Sequence, residues 1–420
     1  MTRIIVALLC VVAAGVASAQ EPAAPLPKAT NHHSLDIAIN HVGISIGNSQ
    51  RLTGIRLNWR DEGLEYVNGI NFTLWAPGQN PKGSVNGLAL GVVAPGASRL
   101  NGIVLGGLGI RAEDRLTGIG LATFAVLSHG SVGGVNVGGL AVVADSNIAG
   151  ITAGALAVMS RNAMTGISVA GASVIASGGL RGAAIGGLAA VLQRQVTGVA
   201  VGGLAVVTEG SLTGVALSGL GVATRGNMTG LSVGGLVSFA SGRARGVHVG
   251  GLAVIGEGGV SGITTGGLSV LSSSTIHGIT ASAGAVMSND EIKGITVGGL
   301  GVVADGEVGW ATITAGTLVA RGDASGLLVG LYRVRSPKVT GLSVSAVQMR
   351  SIWLRGISVA GYNYVARQRG LTIGIYNDAR NLKGIQLGLI TGRATTPRGC
   401  AGCRSSTRTS ERGAGERAGW

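Results

Sequence analysis

From Gly102 to Gly294 one pattern of apolar, small and polar positions recurs every 16 residues, and the anchor glycine that starts each copy never slips from that period. Counting from the anchor as position 0, positions 1 and 3 are aliphatic, as in Ile167 and Val169 or Val199 and Val201, while position 2 is small or polar, as in Ser168, Ser232 and Thr264. Such alternation predicts a short strand, with positions 1 and 3 as its buried face. Positions 4 and 5 are tiny, usually Gly-Gly as in Gly138-Gly139 and Gly250-Gly251, and the aliphatic residues then fall at positions 6 and 8, as in Leu140 and Val142. A straight strand keeps one set of side chains on one face, so this change of parity predicts a bend between two short strands that share an interior.

Charge supports the same division of the repeat. Between Gly134 and Gly309 every charged residue, from Asp145 to Glu307, falls at positions 11 to 15, often beside Gly or Asn as in Glu209-Gly210 and Arg225-Gly226-Asn227. This segment is the expected exposed turn. The architecture that follows is all-β: an elongated β-solenoid of about twenty 14–16-residue coils, with parallel strands stacked at about 4.8 Å to give a rod of roughly 100 Å. The alternative is a large antiparallel outer-membrane β-barrel, because eleven charge-free residues followed by a turn also match a membrane-spanning strand. Against it stand the single aromatic between Ala125 and Gly309, Phe239, and turns that all look alike. The uncharged window 258–289 stays in register with the repeat, which argues against a helical span.

Outside the regular zone the period loosens. Anchors Gly54, Gly69, Gly87 and Gly102 are spaced 15, 18 and 15 residues apart, and Trp59, Tyr66, Phe72 and Trp75 lie among them. Terminal repeats must cover an open end, so these large side chains are expected to cap the solenoid. Beyond Gly294 the anchor position holds Trp310, Gly326 restores the phase, and the spacing falls to 15 at Gly341 and Gly356 and 14 at Gly370 and Gly384. Tyr332, Trp353, Tyr362, Tyr364 and Tyr376 are expected inside these narrower coils as a second cap. The organisation reads as a signal peptide (1–19), a linker and N-terminal cap (20–53), irregular first repeats (54–101), regular repeats (102–309), shorter C-terminal repeats (310–390) and a basic tail (391–420).

Composition changes this picture in three ways. Met1-Thr2-Arg3, the apolar run Ile4 to Val16 and Ala17-Ser18-Ala19 have the zones of a secretory signal, so export and cleavage after Ala19 are expected. A lipoprotein reading of Cys10 lacks the small residue it needs, since Leu9 precedes it. No cysteine occurs between residues 20 and 399, so disulfides cannot staple the body. A mean hydropathy of +0.46 argues against disorder, and 77 glycines without a three-residue period exclude collagen. The net charge of +14 suits an anionic partner such as lipopolysaccharide or a phospholipid surface. Specific nucleic-acid binding is not expected, because the charge is spread over turns.

Candidate chemistry is sparse. His32, His33 and His41 have only Asp36 nearby and read as solvated rather than as metal ligands. Cys400-Ala401-Gly402-Cys403 has CxxC spacing but no second ligand pair. Gly299-Leu300-Gly301-Val302-Val303-Ala304 matches a dinucleotide fingerprint, yet no helix follows it. His129, His248 and His277 sit singly, with no carboxylate partner evident for a nucleophile triad. No catalytic, cofactor or metal site is expected, and no enzymatic activity. One surface feature stands out: Thr264, Thr280, Thr296 and Thr312 occupy position 2 of four successive coils, which predicts an outward threonine ladder able to bind ice or carbohydrate.

The segments Gly370-Leu371-Thr372-Ile373-Gly374-Ile375-Tyr376-Asn377 and Leu382-Lys383-Gly384-Ile385-Gln386-Leu387-Gly388-Leu389-Ile390 resemble the Gly-hydrophobic-Gln-Ile-Gly-Leu-hydrophobic-Asn repeats of bacterial surface-repeat proteins of the leptospiral type. The resemblance extends from about Gly54 to Ile390 and implies an exported, envelope-associated protein; the uncharged coil faces separately suit a structural, adhesion or assembly role. The resemblance brings no catalytic residues. The expected partner is a surface or a second copy of the chain. After Ile390 this chain departs from the family pattern, and its basic ending is read as the product of a frameshift.

Overall fold

The computed structural model describes residues 34–78 and 81–393. The expected signal peptide, His32, His33, the CxxC pair and the basic tail beyond residue 393 lie outside these. Among the described residues the chain is all-β, a β-solenoid of about 21 turns rather than a barrel. It divides into two compact units, the first ending at Ala184 and the second starting at Ile185.

From Ala125 to Gly330, in both units, each coil contributes a strand of seven or eight residues and one of four, separated by the glycine corner. In the second unit these are Val196–Gly202 and Ala205–Thr208, paired in parallel with Leu212–Ser218 and Gly221–Thr224 one repeat later. In the first unit, Ile148–Gly154 pairs in the same way with Met164–Ala170. Residue i meeting residue i+16 in parallel overturns the barrel alternative, in which successive strands would run antiparallel.

The first unit begins differently. Strands Ser34–Ile39 and Val42–Gly47 pair antiparallel, joined by Asn40 and His41 with φ of 50° and 65°. Two central residues with positive φ make the hairpin turn whose twist suits right-twisted strands. His41 is therefore a turn residue.

Positions 1, 3 and 6 lie on the opposite side of the coil from what the aliphatic pattern suggests, while position 8 is inward as expected. Buried positions are 14, 2, 4, 8 and 10: in one coil of the second unit, Val196, Ala200, Gly202, Val206 and Thr208. Position 14 carries Ile148 and Met164 in the first unit and Leu212, Met228, Ile276 and Ile292 in the second, all fully buried. Position 8 is a buried valine in nearly every coil, as at Val142, Val206 and Val302. Positions 1 and 3 point outward. Positions 8 and 14 carry most of the larger aliphatic side chains inside the coil, and positions 2, 4 and 10 are mostly small, with His248 and Leu328 at position 2 as larger exceptions. The even parity continues through the corner, and Leu at position 6 stands outside it.

The threonine ladder is corrected on the same ground. Thr264, Thr280, Thr296 and Thr312 pair across successive coils as expected, yet each is at most 1% exposed. They face the interior and offer nothing to ice or carbohydrate. The hydroxyls of Thr264 and Thr312 have no hydrogen-bond partner there.

The two irregular ends also differ from expectation. Trp59 and Trp75 stack with centroids 6.1 Å apart on the outside of the first coils, more than half exposed. What fills those coils is polar: Arg56 and Asp61 form a fully buried ion pair, joined by Asn48, Asn58, Asn71 and Thr73. At the other end the strand Lys338–Ile373 winds continuously through the shortened coils. Trp353, Tyr362 and Tyr364 stand outward, while buried Asn363 donates to the Asn377 Oδ1 at 2.8 Å in the next coil. Amide ladders replace aliphatic filling where the coil is narrowest.

Candidate interaction surface

Positions 1 and 3 of the long strand and position 6 just past the corner form the outer face. They are filled by β-branched and leucine side chains, which favour extended backbone whichever way they point. In the first unit Ile103, Ile119, Ile151 and Ile167 are 42–50% exposed in the position-1 column. In the second unit the position-6 column includes Leu204, Leu236, Leu268 and Leu300, the last two 61% and 76% exposed. Single exposed aliphatics are ordinary, whereas columns that recur over most coils, interrupted by small residues such as Ala172, Gly284 and Gly316, are not.

The turns carry the expected charge, organised between coils. Asp145 pairs with Arg161 at 3.2 Å, Glu209 with Arg225 at 3.2 Å and Asp305 with Arg321 at 3.0 Å, each across one repeat. These pairs are solvent-exposed and contribute little stability. Two histidines expected to be alone have carboxylate partners: His129 Nδ1 lies 3.2 Å from Glu113 Oε2, and His277 Nε2 lies 3.0 Å from Glu291 Oε1. The period could have shown the first pair, since Glu113 is 16 residues before His129. Hydrogen bonds from Lys293 first, and then from His277, hold the Glu291 carboxyl below its usual range against a smaller opposing effect of burial. Both clusters sit on the turn face. The segment 299–304 forms a coil corner and the following short strand, Gly301–Ala304, so its glycines have no phosphate-binding geometry.

His248 lies inside the second unit, fully buried at position 2. Its Nδ1 is 2.8 Å from Ser232 Oγ, which is 2.8 Å from Ser238 Oγ, while Nε2 has no partner. The pair is a polar contact of the core with no opening to solvent. Burial pushes the imidazole pKa down, opposed less strongly by the backbone of Arg245. An unfolded histidine titrates near about 6.5, so above that pH the group has no effect on stability. As the pH falls through that value the unfolded state gains a proton that the folded state resists, and stability drops. His248→Thr, which installs the residue its partner Thr264 carries in the next coil, should lose less stability than wild type between about pH 7.5 and pH 5, by up to about 1.4 kcal/mol per pH unit. Urea titrations at the two pH values measure this, and parallel losses would remove the role assigned to the ring.

Fold and surface together define the chain as a β-solenoid repeat protein with charged turns and an apolar outer face. Compared with known proteins, it matches no family model, no curated protein and no solved structure.

Proposed function

We propose that this chain is an exported envelope scaffold that assembles through its outer aliphatic face, either with copies of itself or with other surface components, and carries out no chemistry. The observation that supports this reading is the outward placement of positions 1, 3 and 6. A fold that keeps whole aliphatic columns in water, in addition to the valine, leucine, isoleucine and methionine that fill its interior, has surface to bury against a partner. Within each unit the columns are in register and free of charge, which suits sheet-on-sheet packing.

The test uses the purified protein without its leader. Sedimentation velocity should show association in detergent-free buffer. The triple variant Leu252→Ser, Leu268→Ser, Leu300→Ser should associate at least about tenfold more weakly, because three exposed leucines no longer contribute their burial. Its β-sheet circular dichroism and unfolding midpoint should be unchanged, since none of the three fills the coil. A wild-type chain that stays monomeric at high concentration, and that cells release as a freely soluble protein without salt, urea or detergent, overturns the proposal.

A further inference from the structure

Charge is segregated along the solenoid. Between residues 34 and 332 there are fifteen Lys and Arg against fourteen Asp and Glu, whereas residues 333–392 carry nine against Asp378 alone. The last coils also place this charge in a fixed pattern. On the outward face, Arg355, Arg369 and Lys383 each immediately precede an anchor glycine, and Arg369 lies directly beside Lys383 in the parallel register. Neighbouring strands stand about 4.8 Å apart, so like charges directly opposite repel. None of the three has an ion-pair partner among the described residues. In the second unit's earlier coils the same position is often an uncharged Thr213, Thr229 or Ser261. The fold does not require this basic column, and it lacks a counter-charge.

The residues that follow on the same face are aliphatic. Ile357, Leu371 and Ile385 form the next column, and Val359, Ile373 and Leu387 the one after, with Leu371 beside Ile385 and Ile373 beside Leu387 in register. At the last coil Leu389 is 86% exposed. Small residues at Ala346, Gly361, Gly374 and Gly388 line an open, mainly apolar groove of about 560 Å³ next to these columns. A basic edge bordering an apolar plane matches an interface that is anionic at its surface and hydrocarbon beneath.

We propose that the C-terminal coils, residues 333–392, dock on an anionic phospholipid surface, with Arg355, Arg369 and Lys383 at the headgroup phosphates and the adjoining aliphatic columns in the acyl boundary. This deepens the envelope reading, on which it rests for access to a membrane. A single-stranded nucleic acid fits less well, because its bases stack on free aromatic faces. Here the Trp353 ring is covered by the Arg367 guanidinium at 4.5 Å, and Tyr364 and Tyr376 lean on each other at 5.8 Å. The aliphatic columns would also stay wet beneath a nucleic acid.

Vesicle flotation with the full chain tests this, using phosphatidylcholine alone and phosphatidylcholine mixed with phosphatidylglycerol. Binding is expected only to the mixed vesicles and should weaken in high salt. The triple variant Arg355→Gln, Arg369→Gln, Lys383→Gln should lose about a hundredfold in partitioning. A control variant, Arg243→Gln with Arg245→Gln, should bind like wild type, and circular dichroism should report folding of each. If the triple variant does not fold, Leu387→Ser with Leu389→Ser takes its place, with a loss of binding that added salt does not mimic. Equal binding to both vesicle types, unchanged binding by the folded variants, or tighter binding to duplex DNA than to mixed vesicles overturns the proposal. Self-association of the wild type is read separately by sedimentation, so either idea can fail while the other stands.

Discussion

Gly214→Val should destabilise the second unit by about 4 kcal/mol or more, a loss large enough to unfold the coils around it. Gly214 has φ of +129°, and a Cβ built there would lie 2.0 Å from the Gly198 carbonyl oxygen of the preceding coil. Two costs therefore combine. A β-branched residue is strained in a backbone region that is essentially glycine's own, by about 1–3 kcal/mol, and the clash must displace a backbone that pairs on both sides. Thr213→Val, one residue earlier and outward, should leave the unfolding midpoint nearly unchanged. Chemical denaturation and hydrogen exchange measure the loss, with exchange expected to rise in the two flanking coils first, since each coil contacts only its neighbours. Trp310 supplies the reciprocal arm. It sits at an anchor position with φ of +79° and is 74% exposed, so the ladder accepts it under strain and its side chain fills nothing. Trp310→Gly should raise stability by about 1 kcal/mol, the relief of strain being partly offset by the greater freedom of glycine in the unfolded chain. A tolerated Gly214→Val, or a destabilising Trp310→Gly, would refute the steric account of the anchor ladder.

That ladder is also where the sequence was most informative. A period of 16, glycine at every anchor and charge confined to positions 11–15 are direct consequences of parallel stacking, so coil, corner and turn could all be read from spacing. The direction in which side chains point could not. Pattern reasoning assumes that the larger apolar residues lie inside, but in a coil whose sheets nearly touch, the interior selects small residues and the exterior is free to carry Ile167 or Leu268. Position 14 held the missing signal. An aliphatic residue recurs there between polar neighbours, as at Leu212 between Ser211 and Thr213, where only burial explains it. Once position 14 is inward, parity through the strand places position 2 inward as well, and the threonines with it. The candidate surface was thus present in the sequence but assigned to the core. The amide ladder of Asn363 and Asn377 and the paired histidines at 129 and 277 depend on contacts between coils, which composition within one repeat does not show, although the 16-residue step from Glu113 to His129 was there to be read.

The same limit applies to the first coils, where Asp61→Asn is expected to cost about 3–5 kcal/mol. The Asp61 carboxylate accepts hydrogen bonds from Arg56 Nη1 at 2.8 Å, Asn58 Nδ2 at 2.8 Å, Asn71 Nδ2 at 3.2 Å, Thr73 Oγ1 at 2.9 Å and the Gly96 backbone N–H at 3.2 Å. Those donors come from three strands of successive coils, Arg51–Asn58, Tyr66–Thr73 and Gly96–Gly106. One side chain therefore ties together the widest and least regular part of the solenoid, where aliphatic filling is replaced by a polar network. Burial lowers the Arg56 pKa and the nearby Asp61 charge opposes that shift, so the guanidinium depends on this carboxylate for compensation. The amide variant keeps the shape and one acceptor oxygen but removes the charge. Arg56 is then left as an uncompensated cation with no access to solvent, and at least one donor loses its partner. By contrast, Glu209→Gln at an exposed turn pair should leave the midpoint unchanged within error, because water already screens that interaction. Combining Asp61→Asn with Arg56→Met should recover part of the loss but not all of it, since Asn58, Asn71 and Thr73 still point into the site. Thermal unfolding of the two single variants and the double variant provides the coupling energy. Additive losses would mean that the pair does not act as a unit and that the network is incidental to the stability of the first coils.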